Sequence, residues 1–355
     1  MNSPYTLAPR HPDFLVSVVI PCLNESQHIK STVLSLLRGT LQQVEVLVVD
    51  GGSTDGTLEC LSALSASDSR LSVLHNPLRI TPVSLNIGIQ AARGEYIAIL
   101  GAHSEPSPDW VEMNRQVLQQ VPEAVAVGGL LETVSDTGMG QVIAAVLSSP
   151  FGVGNSRFRT GGDSGFVDTV VFGCYRRRAF EHGFFDEQLA TNQDDEFNIR
   201  LTASGEKMYF DPSIRCRYYC RPTWNKLLRQ YWRYGRYKVL VFKKAGRVGS
   251  VRQLIPGLWA GFLAIGAVTS PFWSSAFLIS SSVVALYLTL GLLTAASSAK
   301  EIGWRAMAFL PVAATVHLVY GAGLWAGLIK DLALATPGTN RETQNSRQTA
   351  RKQEA

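Results

Sequence analysis

The residues best suited to chemistry in this chain of 355 residues sit where short apolar runs end. Residues 46–57 read VLVVDGGSTDGT, a buried strand that stops at Asp50 and is followed by two glycines. A carboxylate at a strand end can accept hydrogen bonds from a uracil or a ribose. Gly51 and Gly52 let a ligand come close to the backbone, and Ser53, Thr54 and Asp55 can cap the next helix. Taken alone, the same residues also make an ordinary strand-to-helix turn. Residues 16–25, VSVVIPCLNE, repeat the construction and end in Pro21, Asn24 and Glu25. Gly101-Ala102-His103 follows another apolar run. In TNQDDEFNIRL, residues 191–201, Asp194, Asp195 and Glu196 open a helix. Acids in a first turn complement the helix dipole without any catalytic role.

The elements that position these groups follow from periodicity. Apolar, β-branched runs at 14–20, 44–49, 71–74 and 96–100 read as strands. Helical spacing at 25–37, 57–64 and 81–92 separates them. Strands alternating with helices predict an α/β fold with a parallel sheet covered on both faces. Ligands of such sheets bind at the carboxyl ends of the strands, where Asn24, Glu25, Asp50 and His103 fall. Strands are also expected at 124–134 and 167–175, around a Gly-rich loop at 152–165. A helix is expected within 190–203.

The last third differs. Hydrophobic residues make up 46% of the chain, and long apolar stretches are concentrated there. No acid occurs between Asp211 and Glu301, while cations run from Arg215 to Arg252. Such a run could bind nucleic acid. Apolar segments follow it at once, which favours a flank facing anionic lipid. Residues 224–242 read as an amphipathic helix at a membrane interface or packed on the protein surface. Segments near 254–270, 276–295 and 307–328 are apolar. The last two are long enough to cross a bilayer and the first is marginal. Five cysteines without zinc spacing imply reduced thiols. Residues 1–12 hold no apolar signal core, so the domain that follows is expected in the cytoplasm.

The two N-terminal motifs, at this spacing, resemble family 2 inverting glycosyltransferases of the GT-A (Rossmann-like) fold. The similarity is strongest to the succinoglycan-type branch of exopolysaccharide assembly and covers residues 14–245. It implies that Pro21, Asn24, Glu25, Asp50, Gly52, Asn86 and Ala102 line a nucleotide-sugar pocket. It also implies a divalent cation, Mn²⁺ or Mg²⁺, at a motif that usually opens with aspartate. Here that position is Gly101, which leaves His103 as the metal ligand. A metal there would neutralise charge on the departing diphosphate. The family's Glu-Asp pair reads Gln193-Asp194, and the resemblance makes Asp194 the base that deprotonates the acceptor. Gln230–Tyr234, QYWRY, resembles the Gln-x-x-Arg-Trp motif of processive members. Arg233 could pair with the diphosphate, and Trp232 and Tyr234 could stack on sugars. Interfacial aromatics beside cations explain the same residues equally well.

The resulting expectation is a membrane-bound enzyme of the plasma (inner) membrane, with its catalytic domain in the cytoplasm. It would move a sugar, from a UDP-hexose, to a polyprenyl-linked acceptor, with no nucleic-acid partner. The expected organisation is a tail at 1–13, the GT-A domain at 14–222, a basic amphipathic segment at 223–250, two or three transmembrane helices within 254–330, and a polar tail at 331–355. A processive polysaccharide synthase and a catalytically impaired scaffold are the rivals. Gly101 and Gln193 keep the second of these in play.

Overall fold

The computed structural model describes residues 5–220 and 223–335. In chain order its elements begin β1 (Val16–Cys22), α1 (Ile29–Leu37), β2 (Val44–Asp50), α2 (Thr57–Ser67), β3 (Leu71–His75), α3 (Thr81–Ala91) and β4 (Tyr96–Ile99). Then come β5 (Ser104–Pro106), α4 (Trp110–Gln120), β6 (Ala124–Val134), α5 (Gly138–Leu147), α6 (Pro150–Val153), α7 (Arg157–Thr160), β7 (Gly165–Val167), β8 (Cys174–Arg176), α8 (Gln193–Ala203) and β9 (Lys207–Tyr219). Helices α9 (Trp224–Ala245), α10 (Ile255–Thr269), α11 (Ser274–Ile302) and α12 (Phe309–Ala335) complete the described chain.

The strands form one mixed sheet in the order β3-β2-β1-β4-β8-β6-β9-β5, with β7 beside β9. The first four are parallel, as the alternating pattern requires. Both faces are covered, so β2 is buried at every position. On one face Val16, Val18 and Ile20 pack with Ile29, Val33, Leu61 and Trp110 of α1, α2 and α4. On the other, Val19, Leu47 and Val49 meet Leu85 and Ile89 of α3 and Phe197 and Leu201 of α8.

Several boundaries differ from the sequence expectation. β1 continues through Pro21 to Cys22. It pairs with β4 only over Val16–Val19, so Pro21 lies where β1 has a neighbour on one side alone. A missing N–H is tolerated there. The strand expected at 167–175 is two short strands joined by a loop in which Phe172 takes a left-handed φ of 50°. β9 alternates buried Ile214 and Cys216 with exposed Arg215 and Arg217, so part of the basic run belongs to the sheet. The N-terminal stretch is strapped to the domain. Ala8 N–H donates to Gln90 O at 2.9 Å and Arg10 pairs with Glu95. The polar C-terminal tail lies almost wholly outside the described residues.

At the C-terminus, Ser274–Leu332 is long and apolar enough to cross a membrane. It comprises α11 and α12, joined by a 3-10 turn over Gly303–Ala308. α10 has 15 residues, about 22 Å at helical rise, and falls short of a ~30 Å hydrocarbon core. Phe277, Leu278, Leu286, Leu292 and Leu293 of α11 are exposed, an apolar surface fit for lipid. α12 is held close to both neighbours by glycines. A Cβ at Gly235 of α9 would collide with the Tyr320 carbonyl, and one at Gly323 would stand 2.6 Å from Trp232 O. Small residues of this kind let helix backbones approach in an apolar medium. A third core joins Val142, Val146 and Leu147 of α5 to Leu227 and to Phe309, Val312 and Val316 of α12. Through this core α12 is packed against α5 and α9.

Candidate active site

The loops after β1 and β2 are laced together. Buried Asp50 accepts from Gly52 N–H at 2.7 Å, from Ser53 N–H at 2.9 Å and from the Ser53 hydroxyl. Gly52 has φ +81°, which a side chain would resist. Ser53 Oγ in turn accepts from Asn24 N–H at 2.8 Å, and Asn24 Oδ1 accepts from Thr54 N–H at 2.9 Å. Glu25 N–H donates to Thr57 Oγ1 at 3.0 Å. Of the roughly four acceptor positions on a carboxylate, Asp50 spends three on its own loop. Its expected contact with a nucleotide therefore has about one acceptor position left. Arg79, at φ 59°, lays its guanidinium beside Gly52 and adds a cation to this rim.

His103 follows β4. Its Nδ1 lies 3.1 Å from Glu25 Oε1, and a carboxylate can only accept, so Nδ1 carries the proton. In the neutral ring the lone pair is then on Nε2, which is buried and has no hydrogen-bond partner among the described residues. A carboxylate behind an imidazole is a common way of orienting a metal ligand. No group of three His, Cys, Asp or Glu able to hold a metal occurs among the described residues. Gly101 does not simply lack its carboxylate, because a Cβ there would stand 2.7 Å from Phe172 Cζ. The Phe172 ring fills the place where a side chain would go.

Two expected pocket residues have structural surroundings. Asn86 is fully buried. Its amide donates to Phe185 O and Glu187, and its oxygen accepts from Phe185 N–H. It ties α3 to the loop that leads into α8. Ala102 is buried too, and its carbonyl accepts from Thr32 Oγ1 at 2.9 Å.

Asp194 stands in the first turn of α8 and lines a cavity of about 990 Å³. Its neighbour Asp195 is engaged at both oxygens, by Lys238 and by Gln253 Nε2. Among the described residues Asp194 has no hydrogen bond or ion pair with another side chain, and only the backbone N–H groups of Asp194 and Asp195 bond to it. Burial first, then the charge of Asp195, raises its pKa from 3.8 to about 6, with Lys238 opposing. The cavity wall runs from Thr81 at the start of α3 past Asp194 to Trp259, Tyr287 and His317 of the apolar helices. α9 gives it one face: Lys226, Arg229, Gln230, Arg233, Tyr234 and Lys238 recur at helical spacing. Gln230 donates to Tyr234 Oη at 2.8 Å, and Arg233 donates to Thr191 Oγ1 at 2.8 Å beside Asp194. Asp194, Gln230 and Arg233 are therefore brought together, while Asn24, Glu25, Asp50 and His103 form a separate rim.

Residues 17–184 match the family described as glycosyl transferase family 2. A succinoglycan biosynthesis protein, ExoA, of Rhizobium meliloti is 30% identical over 322 residues, covering 88% of this chain and 94% of that protein. The chain belongs to glycosyltransferase family 2. A second relative of this glycosyltransferase is from Methanococcus voltae, a dolichyl N-acetyl-α-D-glucosaminyl phosphate 3-β-D-2,3-diacetamido-2,3-dideoxy-β-D-glucuronosyltransferase. It is 30% identical over 239 residues, 64% of this chain and 74% of its own. The fold is shared with the mannosyltransferase PcManGT from Pyrobaculum calidifontis, solved with GDP-Man and Mn²⁺. The TM-score is 0.61 at 17% identity, covering 91% of each chain. These likenesses confirm the GT-A fold expected from the sequence.

Sequence reasoning missed several parts of this transferase's cavity. Residues Pro150–Gly154 and Phe158–Arg159 form much of one wall, and Trp259, Tyr287 and His317 reach it from the apolar helices. Arg79 and Phe172 were missed as well. Their left-handed backbones give no local sequence signal, since neither is glycine or asparagine.

Proposed function

We propose that this enzyme is an inverting transferase that moves a hexose from a UDP-sugar to a polyprenyl-linked acceptor. The observation that carries the reading is Asp194, a carboxylate without a side-chain partner in a cationic cavity that extends to the apolar helices. The acceptor hydroxyl attacks the anomeric carbon from the side opposite the diphosphate. Asp194 takes the hydroxyl proton as the new C–O bond forms. The bond to the diphosphate breaks, and the nucleoside diphosphate leaves with the electron pair. A base whose pKa lies near the working pH is well matched to this step.

The rim of Pro21, Asn24, Glu25, Asp50 and Gly52 would hold the uridine, with Asn86 and Ala102 acting as positioning residues behind it. Arg233 and Gln230 would face the diphosphate, since an arginine fork suits phosphate oxygens. A divalent cation fits this chain through His103 alone, with the donor's own oxygens completing its shell. When bound it would neutralise the leaving diphosphate. The Methanococcus relative, named for a dolichyl phosphate acceptor, supports a lipid-linked acceptor here. Cations from Lys226 to Arg252, next to the apolar helices, support a catalytic domain on the cytoplasmic side of the plasma membrane. The domain divisions expected at 14–222, 223–250 and 254–330 belong to the same proposal.

The test is release of UDP from UDP-glucose and related donors by the solubilised enzyme, given membrane lipid extract. Turnover by wild type that disappears in Asp194→Asn, with donor binding retained, supports the reading. Equal turnover in Asp194→Asn would remove Asp194 as base. Absence of nucleotide-sugar binding would remove the whole assignment.

A further inference from the structure

The membrane end of the cavity is built in a way that anchoring alone does not require. Trp259 of α10 stacks on Tyr287 of α11, with ring centroids 4.6 Å apart and planes 21° apart. Phe151 of α6 packs against Tyr287 at 5.1 Å and against His317 of α12 at 5.6 Å. The polar atoms here are matched to each other. His317 Nε2 lies 3.1 Å from Gly152 O, which can only accept, so Nε2 carries the proton. Nδ1 is then an acceptor, and the Tyr287 hydroxyl donates to it at 2.9 Å. With these groups satisfied, an apolar aromatic surface is what remains to meet a ligand.

The same cavity carries unbalanced positive charge. Lys238 is neutralised by Asp195 and Arg252 by Asp168. Arg159, Lys226 and Arg229 also line the cavity and have no carboxylate partner among the described residues. Among the described residues the Arg159 guanidinium donates to the neutral Thr133 hydroxyl alone, at 3.1 Å. Unpaired cations beside an aromatic floor, in one space with the base, match an amphiphile with an anionic group between an apolar tail and a sugar. A free sugar would leave both features without a partner.

We propose that the acceptor enters this cavity from the bilayer as a phosphate-bearing prenyl lipid. Arg159, Lys226 and Arg229 take its phosphate, and Phe151, Trp259 and Tyr287 pack against its first isoprene units. The inference rests on the transferase reading and assigns the apolar helices a wall of the acceptor site.

Binding of farnesyl diphosphate, inorganic diphosphate and farnesol to the full-length enzyme in lipid nanodiscs tests it, with UDP-glucose binding measured alongside. Farnesyl diphosphate is expected to bind at least about tenfold more tightly than either fragment, because only it uses both surfaces. Trp259→Ala should lower affinity for farnesyl diphosphate by about tenfold and leave inorganic diphosphate unchanged. Arg229→Ala, on an exposed face of α9, should weaken both diphosphates several-fold. Retained UDP-glucose binding in each variant shows that the fold survives. Equal affinity for farnesyl and inorganic diphosphate would overturn the proposal and return these cations to the donor. So would an unaltered Trp259→Ala. A wild type that binds no nucleotide sugar instead overturns the transferase reading, and this inference falls with it.

Discussion

The rim after β1 and β2 and the cavity beneath α9 solve opposite problems. The rim is satisfied from within: Asp50 accepts from Gly52 and Ser53, Ser53 Oγ from Asn24 N–H, Asn24 Oδ1 from Thr54 N–H, and Thr57 Oγ1 from Glu25 N–H. Asp194, Arg159, Lys226 and Arg229 line the cavity and form no ion pair among the described residues. A donor common to many enzymes can be met by a rigid, prefolded loop. A site that must move a proton and accept anionic groups keeps charges open for them. Changes to the rim should therefore register as stability and donor affinity together, and changes to the cavity as rate.

The largest effect is expected from Asp194→Asn. With Asp194 in its proposed role as base, its loss should lower kcat by about 10²- to 10⁴-fold with donor binding preserved, measured by turnover beside calorimetric titration. A comparable loss of donor binding would erase the distinction between the two regions. Gly235→Leu should come next. It drives a side chain into the Tyr320 carbonyl and parts α9 from α12, at a cost of about 1–3 kcal/mol or more. Melting temperature and kcat should fall together, whereas an exposed α9 change such as Arg236→Gln should leave melting unaltered. Asp50→Ala strands two backbone donors, each costing about 1–3 kcal/mol if buried. It should lower the melting temperature and weaken donor binding in proportion.

The pH profile separates the regions further. The turnover rate should rise with pH through about 6 as Asp194 loses its proton, and Asp194→Asn should lack that limb. The stability effect has the opposite sense. A carboxyl raised in the folded state favours folding when protonated, so its contribution declines as pH climbs from about 4 to about 6. Asp194→Asn should melt higher than wild type at pH 7.5, and the gain should vanish near pH 4. The smallest effect is expected from Gly101→Asp. The Phe172 ring obstructs the new side chain, so the substitution should lower stability and turnover modestly instead of restoring a metal site. Adding Phe172→Ala should relieve the loss of stability. A large metal-dependent gain from Gly101→Asp alone would show a degraded ancestral site.

The first four strands were legible because a two-faced parallel sheet demands continuous apolar runs, and Asp50 and His103 follow from where those runs stop. Asp194 was legible only through family resemblance, since three acids opening a helix have an adequate electrostatic explanation. What escaped was relational. Arg215 and Arg217 looked like part of a basic flank, although buried Ile214 and Cys216 alternate with them as in a strand. Phe172 is set against Gly101 by a backbone turn 71 positions away in sequence. Trp259 and Tyr287 sit in segments whose composition announces only lipid, and nothing local records that they share a cavity with residue 194.

The glycine crossing of α9 and α12 has a practical consequence for anyone preparing this enzyme. Cutting the chain before α10 would appear to release a soluble catalytic fragment. It would instead bare the α9 surface around Gly235, unroof the hydrophobic cluster of α5 and open one side of the cavity to bulk water. Such a fragment should aggregate or turn over poorly even with Asp194 intact. The smallest useful preparation keeps the apolar helices and the detergent or lipid that they require.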